Sequence, residues 1–253
     1  MNTRGIFPGP SEKEESFQRR FHKKMVVQDQ PFVLEALALT SELFDAAPDW
    51  VEVKIGSKEL LPWEGAATWI EETTQGERSC FIQINNSQLT RFYPLDEVIA
   101  HEMVHAMRLM FDEARFEEIL AYRTSKNRFR RYFGPIFSHP WEAKGFVLLM
   151  LISWIVYGFD LMGALALFSP LLMLGWGVFR LVFSQRVFAK ALHHLEEAMR
   201  TGKALAVLLH SSDREIELFA KSSPEEIVRF ATQQSQTCLR WRQILHRNLL
   251  DVF

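Results

Sequence analysis

The stretch that most restricts this chain is residues 145–183, where Asp160 and Arg180 are the only charged side chains. Its apolar residues follow no helical period, whereas a helix packed on a soluble core carries its apolar side chains as a stripe on one face. Asp160, with Met162 and Gly163 just after it, divides the stretch into two segments. Each approaches the roughly 20 apolar residues that span a bilayer as a helix. The reading is a transmembrane helical hairpin with Asp160 at its interfacial turn, because a carboxylate inside hydrocarbon is costly. Trp154, Tyr157 and Trp176 then belong to these helices or their interfaces. Arg123, Lys126, Arg128, Arg130, Arg131 and Lys144 precede the hairpin, Arg186 and Lys190 follow it, and the turn carries no Lys or Arg. The positive-inside rule makes this an integral membrane protein with its soluble parts facing the cytoplasm. The basic run 123–131 reads as part of that topology signal, with contact to anionic headgroups as the alternative. No apolar core of a secretory signal is visible at the N-terminus, so the hairpin itself would direct insertion.

Across 253 residues the net charge is −2, which gives no push toward nucleic acid, whose binders carry a basic excess. Cys80 and Cys238 form no spaced pair, so neither a disulfide framework nor a thiolate zinc site follows. Residues 1–30 read as a polar tail with a short helix near 14–25. Over 31–44 the apolar spacing predicts an amphipathic helix. Alternation over 50–55, 66–70 and 80–84 predicts three strands of a small antiparallel sheet. Pro94, with Asp96 and Glu97 in the following turn, predicts a helix running to about Met110. Further helices are expected over 113–130, 185–209 and 212–220. Ser223-Pro224-Glu225-Glu226 marks a strong start for a last one reaching about Leu249. The fold class is α+β: a small sheet with helices, the hairpin at 145–183, and a helical C-terminal region over 184–253.

His101-Glu102-Met103-Val104-His105 falls inside the helix predicted after Pro94. Side chains four apart share one face of a helix, so both imidazoles can reach a single metal ion with Glu102 beside them. Catalytic zinc commonly takes three protein ligands and keeps one position for water. The third ligand must come from elsewhere, and Glu118 begins a Glu-x-x-Ala pattern on the next predicted helix, with Glu117 as the neighbouring alternative.

This combination resembles the gluzincin zinc metallopeptidases, whose third ligand is a helical glutamate within an Asn-Glu-x-x-Ala type of sequence. Glu117 stands in place of the Asn, and Tyr122 where thermolysin-like members carry an aspartate that orients the histidines. The resemblance covers about a quarter of the chain and implies a zincin-like core within 31–140. It further implies zinc held by His101, His105 and Glu118, and Glu102 as general base. Tyr122 either hydrogen-bonds an oxyanion or packs. Residues 80–85 would be the edge strand along which a peptide or membrane-protein substrate lies. Arg108 binds a substrate carboxylate or the transition-state oxygen, or pairs with Asp112 or Glu117, and Glu97 either supports the ligands from behind or is an exposed first-turn acid. His193 and His194 read as solvated. A contrasting reading is a membrane-bound scaffold that keeps an inactive core and docks a partner through residues such as Trp241. A carboxylate-bridged iron site built on Glu102 and His105 needs a second Glu-x-x-His pair, which is absent.

Overall fold

A computed structural model describes residues 4–10, 12–21, 26, 29–60, 64–74, 78–85, 93–159, 168–199 and 203–248. Residues 4–10, expected within a polar tail, instead enter the core. Ile6 and Phe7 are buried, and the Trp50 indole donates to the Arg4 carbonyl at 3.0 Å. Gly5 has φ of 68°, and a Cβ there would stand 2.6 Å from the Met107 sulfur, so both backbone and space call for glycine. Helix α1 (Glu14–Phe21) follows, then α2 (Pro31–Phe44), which opens on a proline at N1 and ends on Asp45 in the left-handed region.

Strands β1 (Glu52–Ile55), β2 (Ala66–Glu72) and β3 (Arg78–Ile84) form one sheet in the order β1-β3-β2. The expected antiparallel sheet is mixed: β2 pairs antiparallel with β3, but β1 pairs parallel with it, Val53 opposite Ile82. This makes β3 the central strand, in keeping with its buried Cys80, Ile82 and Ile84. The edge position expected for 80–85 belongs to β2.

Helix α3 (Leu95–Met107) joins two apolar clusters. Ile99, Ala100, Met103 and Ala106 pack toward the sheet and α2. Val104 and Met107 pack toward the C-terminal helices. A helix apolar almost all round is a buried helix, and α3 keeps its partly exposed His101, Glu102 and His105 on one remaining face. Past α3, Asp112 takes φ of 48° while both its oxygens accept from Arg78 of β3 at 2.8 Å, which anchors the reversal.

The helix expected over 113–130 is broken into α4 (Glu117–Ala121), a 3-10 turn at Tyr122–Thr124, and α5 (Arg128–Phe133). Ser125 is extended there, and Asn127 caps α5 by accepting from the Phe129 and Arg130 amides. Side chains that favour caps over helix interiors mark the break.

Helices α6 (Pro140–Gly158) and α7 (Phe168–Ala198) are long and apolar enough to cross a membrane. They pack on each other, with the Ser153 and Ser169 hydroxyls 3.0 Å apart and Arg180 Nη2 2.6 Å from Glu142. The expected turn at Asp160 lies outside the described residues. Trp154, Tyr157, Trp176 and Phe179 are exposed. Across the position expected as a boundary near 184, α7 runs unbroken for 31 residues, about 46 Å. In its second half Phe188, Ala191, Leu195 and Ala198 are buried at helical spacing against the C-terminal helices.

Those helices are α8 (Ala204–Leu209), α9 (Asp213–Phe219), α10 (Pro224–Thr237) and α11 (Leu239–Asn248). Ser212 with Glu215, and Ser223 with Glu226, close reciprocal capping boxes. The last helix, expected to be continuous, breaks at the extended Cys238. That break turns Trp241 inward, where it is 1% exposed and donates to Glu215 at 2.6 Å. Trp241 is therefore a core residue and offers no docking surface.

Phe188→Ala is expected to cost about 3 to 5 kcal/mol through cavity formation. Phe179→Ala, on the exposed part of the same helix, should change stability by about 0.5 kcal/mol or less in detergent. Denaturant titration of the two variants, side by side, checks the division of α7.

Candidate metal centre

The four-residue spacing on α3 brings His101 Nε2 and His105 Nε2 to 3.2 Å. Helix α4 folds back so that the Glu118 carboxylate lies 3.6 Å from the first and 3.5 Å from the second. Ligand atoms around a tetrahedral zinc, with bonds of about 2.0 to 2.2 Å, sit about 3.3 to 3.6 Å from one another. The donor set is of the kind that zinc takes, with His101 facing Oε2 of Glu118 and His105 facing Oε1. Among the described residues these three form the one such cluster of potential ligands.

Glu117, the alternative ligand, does something else. Its Oε1 lies 2.6 Å from His105 Nδ1, on the side of the ring away from Glu118. A carboxylate there accepts a hydrogen bond from Nδ1–H and turns Nε2 toward Glu118, the usual orientation of a metal-binding histidine. The Ala121 backbone lies near His101 and favours its protonated form. Glu117 is thus the candidate for orienting His105, and the Ala121 main chain for His101. Tyr122 packs its ring edge against His101, with centroids 4.6 Å apart, and against Gly134, where it leaves no room for a Cβ.

Beside the histidines, the Thr68 hydroxyl of β2 lies 2.8 Å from Glu102 Oε2 and holds that carboxylate. Thr68 went unnoticed in the sequence because one hydroxyl in a strand carries no signal of its partner. All four groups open into a cavity of about 1240 Å³. Ala66, Thr68 and Ile70 of β2 line one wall, and Val147, Leu148 and Leu151 of α6 line another. Tyr122 does not line it.

Burial lowers His101 well below the ordinary imidazole value, helped by the neighbouring His105 and Arg130. Burial would also lower His105, but the Glu118 and Glu117 carboxylates overcome it and raise the ring to about 10. Burial raises Glu118 to about 7, with His105 pulling against it. Tyr122 is pushed up to about 12, chiefly by burial.

Arg108 meets neither expected role in full. Its side chain is fully buried and donates to the Leu209 and Ser211 carbonyls at 2.8 and 3.0 Å. Glu113, Glu117 and Asp213 stand 3.8 to 3.9 Å away, while Asp112 pairs with Arg78 instead. Glu97 is not the exposed acid expected: it is 4% exposed and accepts from the Ser125 hydroxyl at 2.9 Å, because the turn after α4 roofs the start of α3. His193 is exposed beside Glu197, whereas His194 lies 2.9 Å from the Phe219 carbonyl.

Comparison with protein-family models, with curated proteins and with solved structures yields no match.

The raised values of His105 and Glu118 mean that above pH 6.5 the folded chain holds more protons here than the unfolded one, while the lowered His101 acts the other way below that pH. The His105 contribution to stability is full below pH 6.5 and is lost as pH rises through about 10. Glu118 acts in the same direction between pH 4.5 and about 7. After chelation, the thermal midpoint should therefore fall as pH is raised from 6.5 toward 10. His105→Gln should flatten that slope, as circular dichroism melts across the range would reveal.

Proposed function

We propose that this chain is a membrane-anchored zinc metallopeptidase with its soluble parts in the cytoplasm. The observation that carries the reading is the meeting of His101, His105 and Glu118, with one ligand atom from each within 4.8 Å of the others, at the wall of a large cavity. A zinc ion held there would acidify a water molecule and polarise a carbonyl. Glu102, adjacent to the ligands and held by Thr68, accepts the proton and can return it to the leaving amine. Glu117 keeps His105 in the tautomer that presents Nε2, and Tyr122 buttresses His101. These roles agree with the resemblance to gluzincins, which rests on the short motif and on Glu118.

The cavity suggests how a peptide is held. β2 is the sheet edge along it, so an extended backbone can add there as a further strand. Val147, Leu148 and Leu151 of α6 then face the apolar side chains of that peptide. An active centre sharing a wall with a membrane helix favours peptide segments that lie close to the bilayer, as in membrane-protein substrates.

Elemental mass spectrometry of the full chain in detergent should find near-equimolar zinc, lost in His101→Ala and in Glu118→Ala. Glu117→Gln should keep zinc but bind it about 10 to 100 times more weakly. Glu102→Gln should retain the metal and lose at least about 100-fold in peptide hydrolysis. Absence of zinc even after reconstitution would end the enzymatic reading and leave a membrane scaffold.

A further inference from the structure

Where α5 meets α7, a second cavity of about 330 Å³ is lined by Arg123, Arg128, Arg131 and Arg186, together with Tyr132 and Gln185. Among the described residues no carboxylate lies within ion-pair distance of any of these four guanidinium groups. Their neighbours in sequence differ: Lys126 pairs with Asp96 at 3.0 Å, and Arg130 reaches Glu97 at 3.6 Å. Arg131 donates Nε and Nη2 to the Ser125 carbonyl, and Arg123 lies over the Phe188 ring at 4.9 Å, so two of the four are fixed in place without being neutralised. Burial and the nearby Arg131 both lower the pKa of Arg123, the direction expected where positive charges gather uncompensated.

The location narrows what can neutralise them. The recess meets α7 at Gln185 and Arg186, directly after Phe183, the last of the exposed large apolar residues on that helix. Beside it, α5 has no buried residue and turns Phe129, Tyr132 and Phe133 outward, 72%, 41% and 39% exposed. Aromatic rings and arginines side by side at the end of an apolar helix are what the headgroup layer of a bilayer accommodates. Guanidinium forks match phosphate oxygens in charge and geometry.

We propose that this recess binds the phosphate of an anionic phospholipid headgroup. The inference rests on the membrane reading of α6 and α7 and is independent of zinc and of peptidase activity. A soluble phosphate shares the chemistry, so the test separates the two sources.

The full chain in detergent is mixed with phosphatidylglycerol, phosphatidylcholine or inorganic phosphate and examined by native mass spectrometry. Retention of phosphatidylglycerol over phosphatidylcholine is expected, weakened about thirtyfold in the Arg128→Gln/Arg186→Gln double variant. The Arg128→Lys/Arg186→Lys variant, which keeps the charge, should retain more lipid than the glutamine pair, and far-UV circular dichroism identifies any variant that has not folded. Equal retention of both lipids, or retention unchanged in the glutamine pair, overturns the proposal. Inorganic phosphate bound without phosphatidylglycerol overturns the headgroup as source. Release of the chain from membranes by alkaline carbonate is a separate result, which removes the membrane reading itself.

Discussion

One buried guanidinium ties the two halves of the soluble structure together. Arg108 leaves the end of α3 and donates to carbonyls at the end of α8, groups that the helix itself cannot satisfy. A charge taken fully out of water needs compensating partners, and losing one from a buried pair costs about 3 to 5 kcal/mol. Glu113, Glu117 and Asp213 supply the negative charge, from both halves of the chain. Glu117 is also the partner of His105, so the charge that docks the C-terminal helices and the carboxylate that orients a candidate ligand belong to one network. Burial lowers the pKa of Arg108 against the pull of these carboxylates, with Arg240 adding to the burial effect.

The same economy of parts appears at the cavity. β2 supplies Thr68 to hold Glu102 and also the open edge of the sheet. α4 supplies two adjacent glutamates with opposite tasks, one facing the open side of both histidines and one bonding His105 from behind. Adjacent residues on a helix point about 100° apart, which is why neighbouring side chains can serve two sides of one imidazole. α6 walls the space with Val147, Leu148 and Leu151, and with Lys144 nearer its start.

Features whose cause is local were readable from sequence. The spacing of His101 and His105 on a helix, the capping box at Ser223, the proline-led α2 and the long apolar segments each depend on neighbours within a few residues. Features whose cause is distant were not. The 113–130 segment has helical composition, but Ser125 leaves the helix to meet Glu97 on α3. The last helix breaks so that Trp241 can reach Glu215. Ile6 and Phe7 sit in a polar N-terminal stretch and become core residues through contacts with partners about a hundred residues away, such as Met107 beside Gly5. Mixed rather than antiparallel pairing likewise depends on which strand the chain inserts at the centre, and alternation of side chains is blind to that order.

The unbroken course of α7 fixes a phase as well as a distance. Its first half turns Leu172, Trp176, Phe179 and Phe183 outward while Pro170, Gly177 and Leu181 are buried, and its second half must aim Phe188, Ala191, Leu195 and Ala198 at one target. No turn or kink lies between them to absorb an error. One residue inserted or deleted near Gln185 would rotate everything beyond it by about 100° and shift it by about 1.5 Å. The helix behaves as a keyed shaft: the orientation of the hairpin about its own axis determines how the soluble body faces, and the two cannot be turned independently.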